Sequence, residues 1–144
     1  MKRNYFRRFL GIYRAILFVL FAQLFTLTTT AEEVIVDGIK YDAVKKAKQA
    51  TVIANSYSGD VVIPSSFKYD NVEYDVIAIG ASAFSNRRNL TSITIPKSVT
   101  SIGSSAFYDC TRFTSVHITD IAAWCNISLE AAPPILYLML NIFS

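Results

Sequence analysis

The stretch IGASAF, residues 79–84, decides the fold of this 144-residue chain, because it recurs 23 residues later as IGSSAF, residues 102–107. A second stretch, LTSITI at residues 90–95, recurs with the same offset as FTSVHI at residues 113–118. A constant offset of roughly 20–50 residues is the signature of a repeat protein, in which each unit forms one turn of a solenoid. The offset therefore predicts stacked units and not an ordinary globular core.

Each 23-residue unit combines a short strand, a second apolar segment that runs back across the unit, and a bend. In LTSITI the spacing of the apolar residues is that of a short strand entered by a turn, and Ser92 and Thr94 face the opposite side from these residues. Pro96 ends that strand because it lacks a ladder donor, and Gly80 and Gly103 are expected to permit the tight bend. The predicted repeat core consists of the apolar residues at equivalent positions: Ile79, Phe84, Leu90, Ile93, Ile95, Ile102, Phe107, Phe113, Val116 and Ile118.

A single unit of this kind cannot cover its own apolar face, so neighbouring units must stack Ile on Ile and Phe on Phe. The sequence therefore predicts a mainly β solenoid of short stacked strands, with repeats over residues 78–127. The pattern I-G-x-x-A-F-x-x-C-x-x-L-T-S-I-x-I-P-x-S-V-T-S-I-G resembles the leucine-rich repeats of BspA-like bacterial surface antigens. Cys110 occupies the cysteine position of that pattern, whereas Arg87 replaces it in the preceding unit. The resemblance implies a secreted or surface-attached protein that binds host or neighbouring-cell proteins and has no active site.

Residues 1–31 have the composition of a secretory signal peptide. Five basic residues and no acid lie in residues 1–14, and an apolar core follows at residues 15–27. Cleavage is predicted after Ala31, and the apolar core is too short for a membrane span, which needs about 20 residues. The remaining chain keeps nine of the 14 basic residues and all 11 acids. Its net charge is then −2, which gives no basic face for nucleic acid.

Residues 32–77 are predicted to form a β-rich N-terminal cap, which solenoids need to close an exposed core. Asp37-Gly38 and Asp70-Asn71 each lie between runs of strand formers, which is a hairpin signal. The same region ends in a half-repeat, because VIPSSF at residues 62–67 matches TIPKSV at residues 94–99. Beyond it, Asp120 or Thr119 could cap a short helical turn through residues 121–124.

Residues 128–144 form an atypical apolar tail that matches no repeat. Two readings of this ending stay open. In one, the chain is a truncated or frame-shifted member of a longer array, which would make it an inactive fragment. In the other, the tail folds back over the last unit as an improvised cap.

The sequence contains no pattern typical of a catalytic, cofactor or metal site. His117 is the one histidine of the chain and aligns with the outward position of Thr94. The spacing of Cys110 and Cys125 matches no zinc arrangement, and sequence alone leaves open whether they pair. The chain is therefore predicted to be no enzyme and to need no cofactor.

A surface is what remains, and the predicted interaction residues are the outward polar side chains of the repeat strands: Ser92, Thr94, Thr114, Ser115 and His117. We expect them to contact protein ligands, with glycans as an alternative. In that alternative, the tyrosines at positions 41, 57, 69, 74 and 108 would stack on sugars, although Tyr is also an ordinary strand residue.

Overall fold

The computed structural model of the protein describes residues 30–129. Nearly all of the predicted signal peptide, and residues 130–144 of the predicted tail, lie outside this range. The described residues form ten strands and one short helix: β1 Ala31–Val36, β2 Ile39–Val44, β3 Gln49–Val52, β4 Gly59–Val62, β5 Ser66–Tyr69, β6 Val72–Ile79, β7 Leu90–Ile95, β8 Ser101–Ile102, β9 Ser115–Ile118, α1 Ile121–Cys125 and β10 Ser128–Leu129. This confirms the mainly β repeat fold predicted from the 23-residue offset.

The strands belong to two sheets that enclose the core. One sheet has the order β1-β2-β3-β6-β8-β10, and β5 pairs with the first half of β6. The other sheet consists of the parallel strands β4, β7 and β9. From β4 onward the chain therefore alternates between the two sheets, and each circuit adds one parallel strand to each of them.

Two hairpins build the N-terminal region, as the sequence predicts. Asp37 and Gly38 connect β1 to β2 with φ angles of 50° and 80°, and Asp70 and Asn71 connect β5 to β6 with φ angles of 47° and 58°. Two consecutive residues with positive φ give the turn whose twist matches that of paired antiparallel strands. Local turn chemistry therefore decides both hairpins.

Successive coils stack in the register of the sequence repeat. Ile79 pairs with Ile102 between β6 and β8, and Ser92 pairs with Ser115 between β7 and β9, each at the predicted offset of 23 residues. A third column of hydrogen bonds joins the bends. The amides of residues 82, 84 and 86 donate to the carbonyls of residues 104, 106 and 108 over 3.0, 2.8 and 2.7 Å. Backbone bonds therefore hold the coils together on three sides.

A column of aromatic rings fills the interior between the two sheets. The ring centroids of Phe84 and Phe107 lie 5.2 Å apart with planes only 2° from parallel. Tyr57 packs on the other side of Phe84 at 4.5 Å, and Phe113 continues the column beyond Phe107 at 5.4 Å. Phe84 is fully buried between its two neighbours. The repeat thus places like rings on one another, and this dry contact stabilises the stack.

The two repeat glycines have a different role from the one expected. Neither Gly80 nor Gly103 has positive φ; the left-handed positions of the bends are Ser82 and Ser105, both at 55°, and Asn86 and Asp109, at 60° and 54°. Gly103 is needed for space, because an added Cβ would come within 2.8 Å of the Gly80 carbonyl carbon and closer still to the Ala81 nitrogen. Close approach of two backbones, and not a bend, therefore explains this glycine.

The last two residues of the predicted repeat core differ from the other eight. Val116 and Ile118 in β9 are only partly buried, whereas their equivalents Ile93 and Ile95 in β7 are buried. Within residues 30–129, β7 has a strand on each side and β9 pairs only with β7. These two side chains of β9 therefore face inward as their equivalents in β7 do. They are less buried because no described strand pairs with the other edge of β9.

Candidate interaction face

Four of the five polar side chains predicted to bind a partner lie on the outer face of the three-stranded sheet. We define the outer sheet face as two rows of residues that run across the strands in register: Asp60, Ser92 and Ser115 in one row, and Val62, Thr94 and His117 in the other. The residues between them in sequence, Val61 and Ile93, are buried in the core. The strand alternation thus fixes which side chains reach solvent.

The carboxylate of Asp60 is held by its neighbours on β7. Its Oδ1 accepts hydrogen bonds from the hydroxyl of Ser92 at 2.6 Å and from the hydroxyl of Thr91 at 2.8 Å. These bonds, with that of Ser92 the larger cause, lower the pKa of Asp60 below its ordinary value of 3.8. A weaker electrostatic effect of His117 acts in the same direction on the pKa of Asp60. Asp60 therefore presents a negative charge in a defined orientation, and His117 is the one other acidic or basic side chain in strands β4, β7 and β9.

Asp60 and Val62 also belong to this face, although neither is among the interaction residues predicted from the sequence. The signal for both was present in the half-repeat, in which Val62 aligns with Thr94 and Asp60 consequently with Ser92. The structure has this register, because β4 pairs with β7 through those residues. The offset is 32 residues here instead of 23 because the β5–β6 hairpin is inserted into this coil.

Thr114 lies apart from the two rows, immediately before β9. Its amide and its hydroxyl both donate to the carbonyl of Thr91, at 2.9 and 3.2 Å. Thr100 makes the equivalent pair of bonds to the carbonyl of Ile77 on the other sheet. The Thr114 side chain is exposed, yet its hydroxyl serves the contact between coils.

The side chains that could take part in catalysis or metal binding do not cluster in the described residues. Cys110 is half-buried and its thiol donates to the carbonyl of Phe84 at 3.0 Å, while Cys125 is exposed, and both are free. Burial raises the pKa of the Cys110 thiol, which keeps it in the protonated, donating form. His117 is exposed on the outer sheet face. No group of three or more His, Cys, Asp or Glu side chains within residues 30–129 could hold a metal ion.

The tyrosines proposed as a sugar-stacking surface are mostly interior, which is a correction. Tyr41, Tyr57 and Tyr74 are buried, and only Tyr69 and Tyr108 of the five are exposed. The Tyr57 hydroxyl accepts from the amide of Lys40 and donates to a backbone carbonyl at 2.7 Å, so this ring closes the end of the aromatic column. These side chains are part of the core of the N-terminal cap, where their large rings bury much of the apolar area.

The sequence family described as "BspA type Leucine rich repeat region (6 copies)" matches residues 61–127. This segment begins in β4 and ends just before β10, so it includes the stacked bends and every residue of the outer sheet face except Asp60, which directly precedes it. The repeat region of this chain therefore belongs to the BspA-type leucine-rich repeats, which confirms the family resemblance found in its motifs.

Three solved structures are similar to the chain. A leucine-rich cell surface protein from Faecalibacterium prausnitzii is 31% identical over 62% of this chain and 24% of that one, with a TM-score of 0.55. A leucine-rich repeat protein from Bacteroides capillosus is 31% identical over 60% of this chain and 64% of its own length, with a TM-score of 0.53. One from Bacteroides ovatus is 32% identical over 58% of this chain and 22% of its own, with a TM-score of 0.51.

The chain thus spans about a quarter of the first relative, just under two thirds of the second and about a fifth of the third. A search among curated proteins found no match. Within the described residues, no helix is both long enough and apolar enough to span a bilayer.

Proposed function

We propose that the protein is a non-catalytic interaction protein that binds a protein ligand through its outer sheet face. The observation that carries the proposal is the composition of that face: a rigid parallel sheet presents hydroxyls, one oriented carboxylate and an exposed valine in registered rows. Val62 is 64% exposed although it lies in a strand. An apolar side chain with polar groups around it is the arrangement that protein interfaces use, with an apolar centre and a polar rim.

The burial of three of the five tyrosines favours a protein ligand over a glycan. A stacking platform needs exposed rings, and the two exposed tyrosines belong to separate elements, Tyr69 at the end of β5 and Tyr108 in the bend before β9. A carbohydrate-binding function therefore has little surface to use among the described residues. We keep it as an outcome of the experiment below.

We place the protein outside the bacterial cell or on its surface. The basic and apolar stretch at residues 1–27 supports export, and the similar protein from Faecalibacterium prausnitzii is described as a cell surface protein. Cleavage after Ala31 would leave residues 32–36 of β1 paired with β2. Adhesion to a host or neighbouring cell is the concrete form of function that we propose.

The test uses fluorescently labelled protein in titrations on cultured epithelial cells and on an unrelated bacterium. Val62→Asp places a charge on the outer sheet face and should abolish saturable binding. Ile35→Asp is a matched control, because Ile35 is a β-branched residue that is 61% exposed on a strand of the other sheet. Both variants should retain the circular dichroism spectrum of the wild type.

Pretreatment of the cells distinguishes the two ligand classes. Mild trypsin treatment should remove the binding sites, whereas glycosidase treatment should leave them intact. Loss after glycosidase alone would support the carbohydrate alternative. Equal binding by Val62→Asp, Ile35→Asp and the wild type would refute the assignment of function to this face.

A further inference from the structure

The outer sheet face carries one carboxylate, and only one of its two oxygens accepts hydrogen bonds from the described residues. Asp60 is the sole Asp, Glu, Lys or Arg in strands β4, β7 and β9. Both hydroxyl contacts reach Oδ1. Asp60 belongs to none of the three ion pairs formed within residues 30–129, which are Lys40–Glu33, Lys45–Asp70 and Arg88–Asp109. The second oxygen, Oδ2, is therefore available for a donor from outside.

Asp60 is prepared for such a donor by its surroundings. Two hydroxyl donors hold the carboxylate on β7, so little side-chain freedom is left to lose when a ligand binds. The same bonds lower its pKa, and the carboxylate stays ionised into acidic solution. A fixed anion with no lysine or arginine in its own sheet selects for a positive charge on the ligand.

Val62 adds an apolar contact at a suitable spacing. It lies two residues after Asp60 on the same side of β4, about 7 Å away along the strand. Its partner in the next strand is Thr94, a neutral residue. Lysine and arginine side chains combine an apolar stem with a charged head, so they match an exposed valine beside a carboxylate.

We infer that Asp60 and Val62 together receive a lysine or arginine side chain of the protein ligand, with its head on Oδ2 of Asp60 and its stem across Val62. This inference rests on the proposed function, since it names the ligand chemistry of the same face. It makes the partner a protein with an exposed basic residue in its contact surface.

The test compares Asp60→Asn with Asp75→Asn in the cell-binding titration. Asparagine keeps an oxygen that can accept from Thr91 and Ser92 but removes the charge. Asp75 is an exposed aspartate on β6 of the other sheet, which makes it the matched control. Asp60→Asn should bind roughly two- to fivefold more weakly, in the range of one exposed charge pair, and Asp75→Asn should bind as the wild type does.

Modification of the cells probes the other half of the pair. Acetylation with sulfo-N-hydroxysuccinimide acetate removes lysine charges, and phenylglyoxal removes those of arginine. One of the two reagents should weaken the wild type to the level of Asp60→Asn and have little further effect on that variant. The affinity of the wild type should also fall more steeply with added NaCl than that of Asp60→Asn.

Failure of this inference is distinguishable from failure of the proposed function. If Val62→Asp abolishes binding while Asp60→Asn and both reagents leave it unchanged, the face binds a ligand but not through a basic side chain, and the inference is overturned. If Asp60→Asn and the reagents weaken binding additively, the two charges do not meet and the inference is also overturned. Unchanged binding by Val62→Asp and Asp60→Asn alike removes both proposals.

Discussion

Gly103→Ala tests the tightest contact in the solenoid. The Cβ that alanine adds would lie 2.8 Å from the Gly80 carbonyl carbon and from the Ala81 Cα, and closer to the Ala81 nitrogen. All of these atoms belong to the backbone of the preceding coil, so no side-chain rotation can make room. The φ angle of Gly103 lies outside the left-handed region, and alanine is tolerated there by the local backbone. The cost is therefore purely one of space.

The magnitude follows from the contacts that separation of the coils would weaken. The Gly103 amide donates to the Ile79 carbonyl at 2.8 Å, and the Ser82 amide donates to the Ser104 carbonyl at 3.0 Å. Loss of two such bonds costs about 1 kcal/mol each, and overpacking of an interior adds about 1–3 kcal/mol. We expect the free energy of unfolding to fall by roughly 3–5 kcal/mol, a large share of the roughly 5–15 kcal/mol of a typical domain.

Urea denaturation measures this loss, with far-ultraviolet circular dichroism for the strands and the fluorescence of Trp124 for α1. Gly80→Ala is the control, because its Cβ would approach Val52 oxygen at 3.0 Å, a milder contact. We expect it to cost about 1 kcal/mol. If Gly103→Ala unfolds at the same urea concentration as the wild type, the coils are not stacked as closely as described, and the explanation of this glycine is refuted.

Four further predictions concern single side chains. Phe84→Ala should lower the free energy of unfolding by about 3–5 kcal/mol in the same urea assay, because the ring is buried between two others, whereas His117→Ala should leave it nearly unchanged. Tyr41→Phe should raise it by about 1 kcal/mol at neutral pH, because the buried Tyr41 hydroxyl has no hydrogen-bond partner within the described residues. Burial raises the pKa of Tyr41, so the wild type should lose stability as the pH rises above 10.0, where the unfolded tyrosine ionises, and Tyr41→Phe should lose less in thermal melts across pH 9–11. The pKa of Asp60 is lowered, so its carboxylate stabilises the fold above pH 3.8, and this stabilisation is lost as the pH falls below that value. The melting temperatures at pH 5 and pH 3 should therefore differ less for Asp60→Asn than for the wild type. An equal difference would contradict the hydroxyl contacts of Asp60.

The repeated motif was sufficient to predict the architecture. Because equivalent residues of stacked coils lie on one another, the 23-residue offset alone pairs Phe84 with Phe107 and Ile79 with Ile102. Local chemistry predicted the hairpins and a capped helical turn with Thr119 or Asp120 as the N-cap; the structure has Asp120, whose Oδ1 accepts from the Ala123 amide at 2.9 Å. Each of these features depends on residues that are close in sequence or are separated by the constant 23-residue offset. A sequence pattern is sufficient to predict such features.

Other features depend on contacts between segments that no fixed step relates. The carboxylate of Asp60 meets the hydroxyls of Thr91 and Ser92 only because β4 lies beside β7 after an inserted hairpin changes the offset to 32 residues. The burial of the cap tyrosines, such as Tyr41 against Phe67 at 4.2 Å, likewise depends on how the two hairpins pack.

The sequence by itself determined that the chain is a stack of coils and which side chains of the two complete repeats face inward, since both follow from periodicity. The tertiary structure decided why Gly103 must lack a side chain and which polar groups hold Asp60 in place. Those properties depend on distances of a few ångströms between backbones, and a pattern of residue types does not specify such distances.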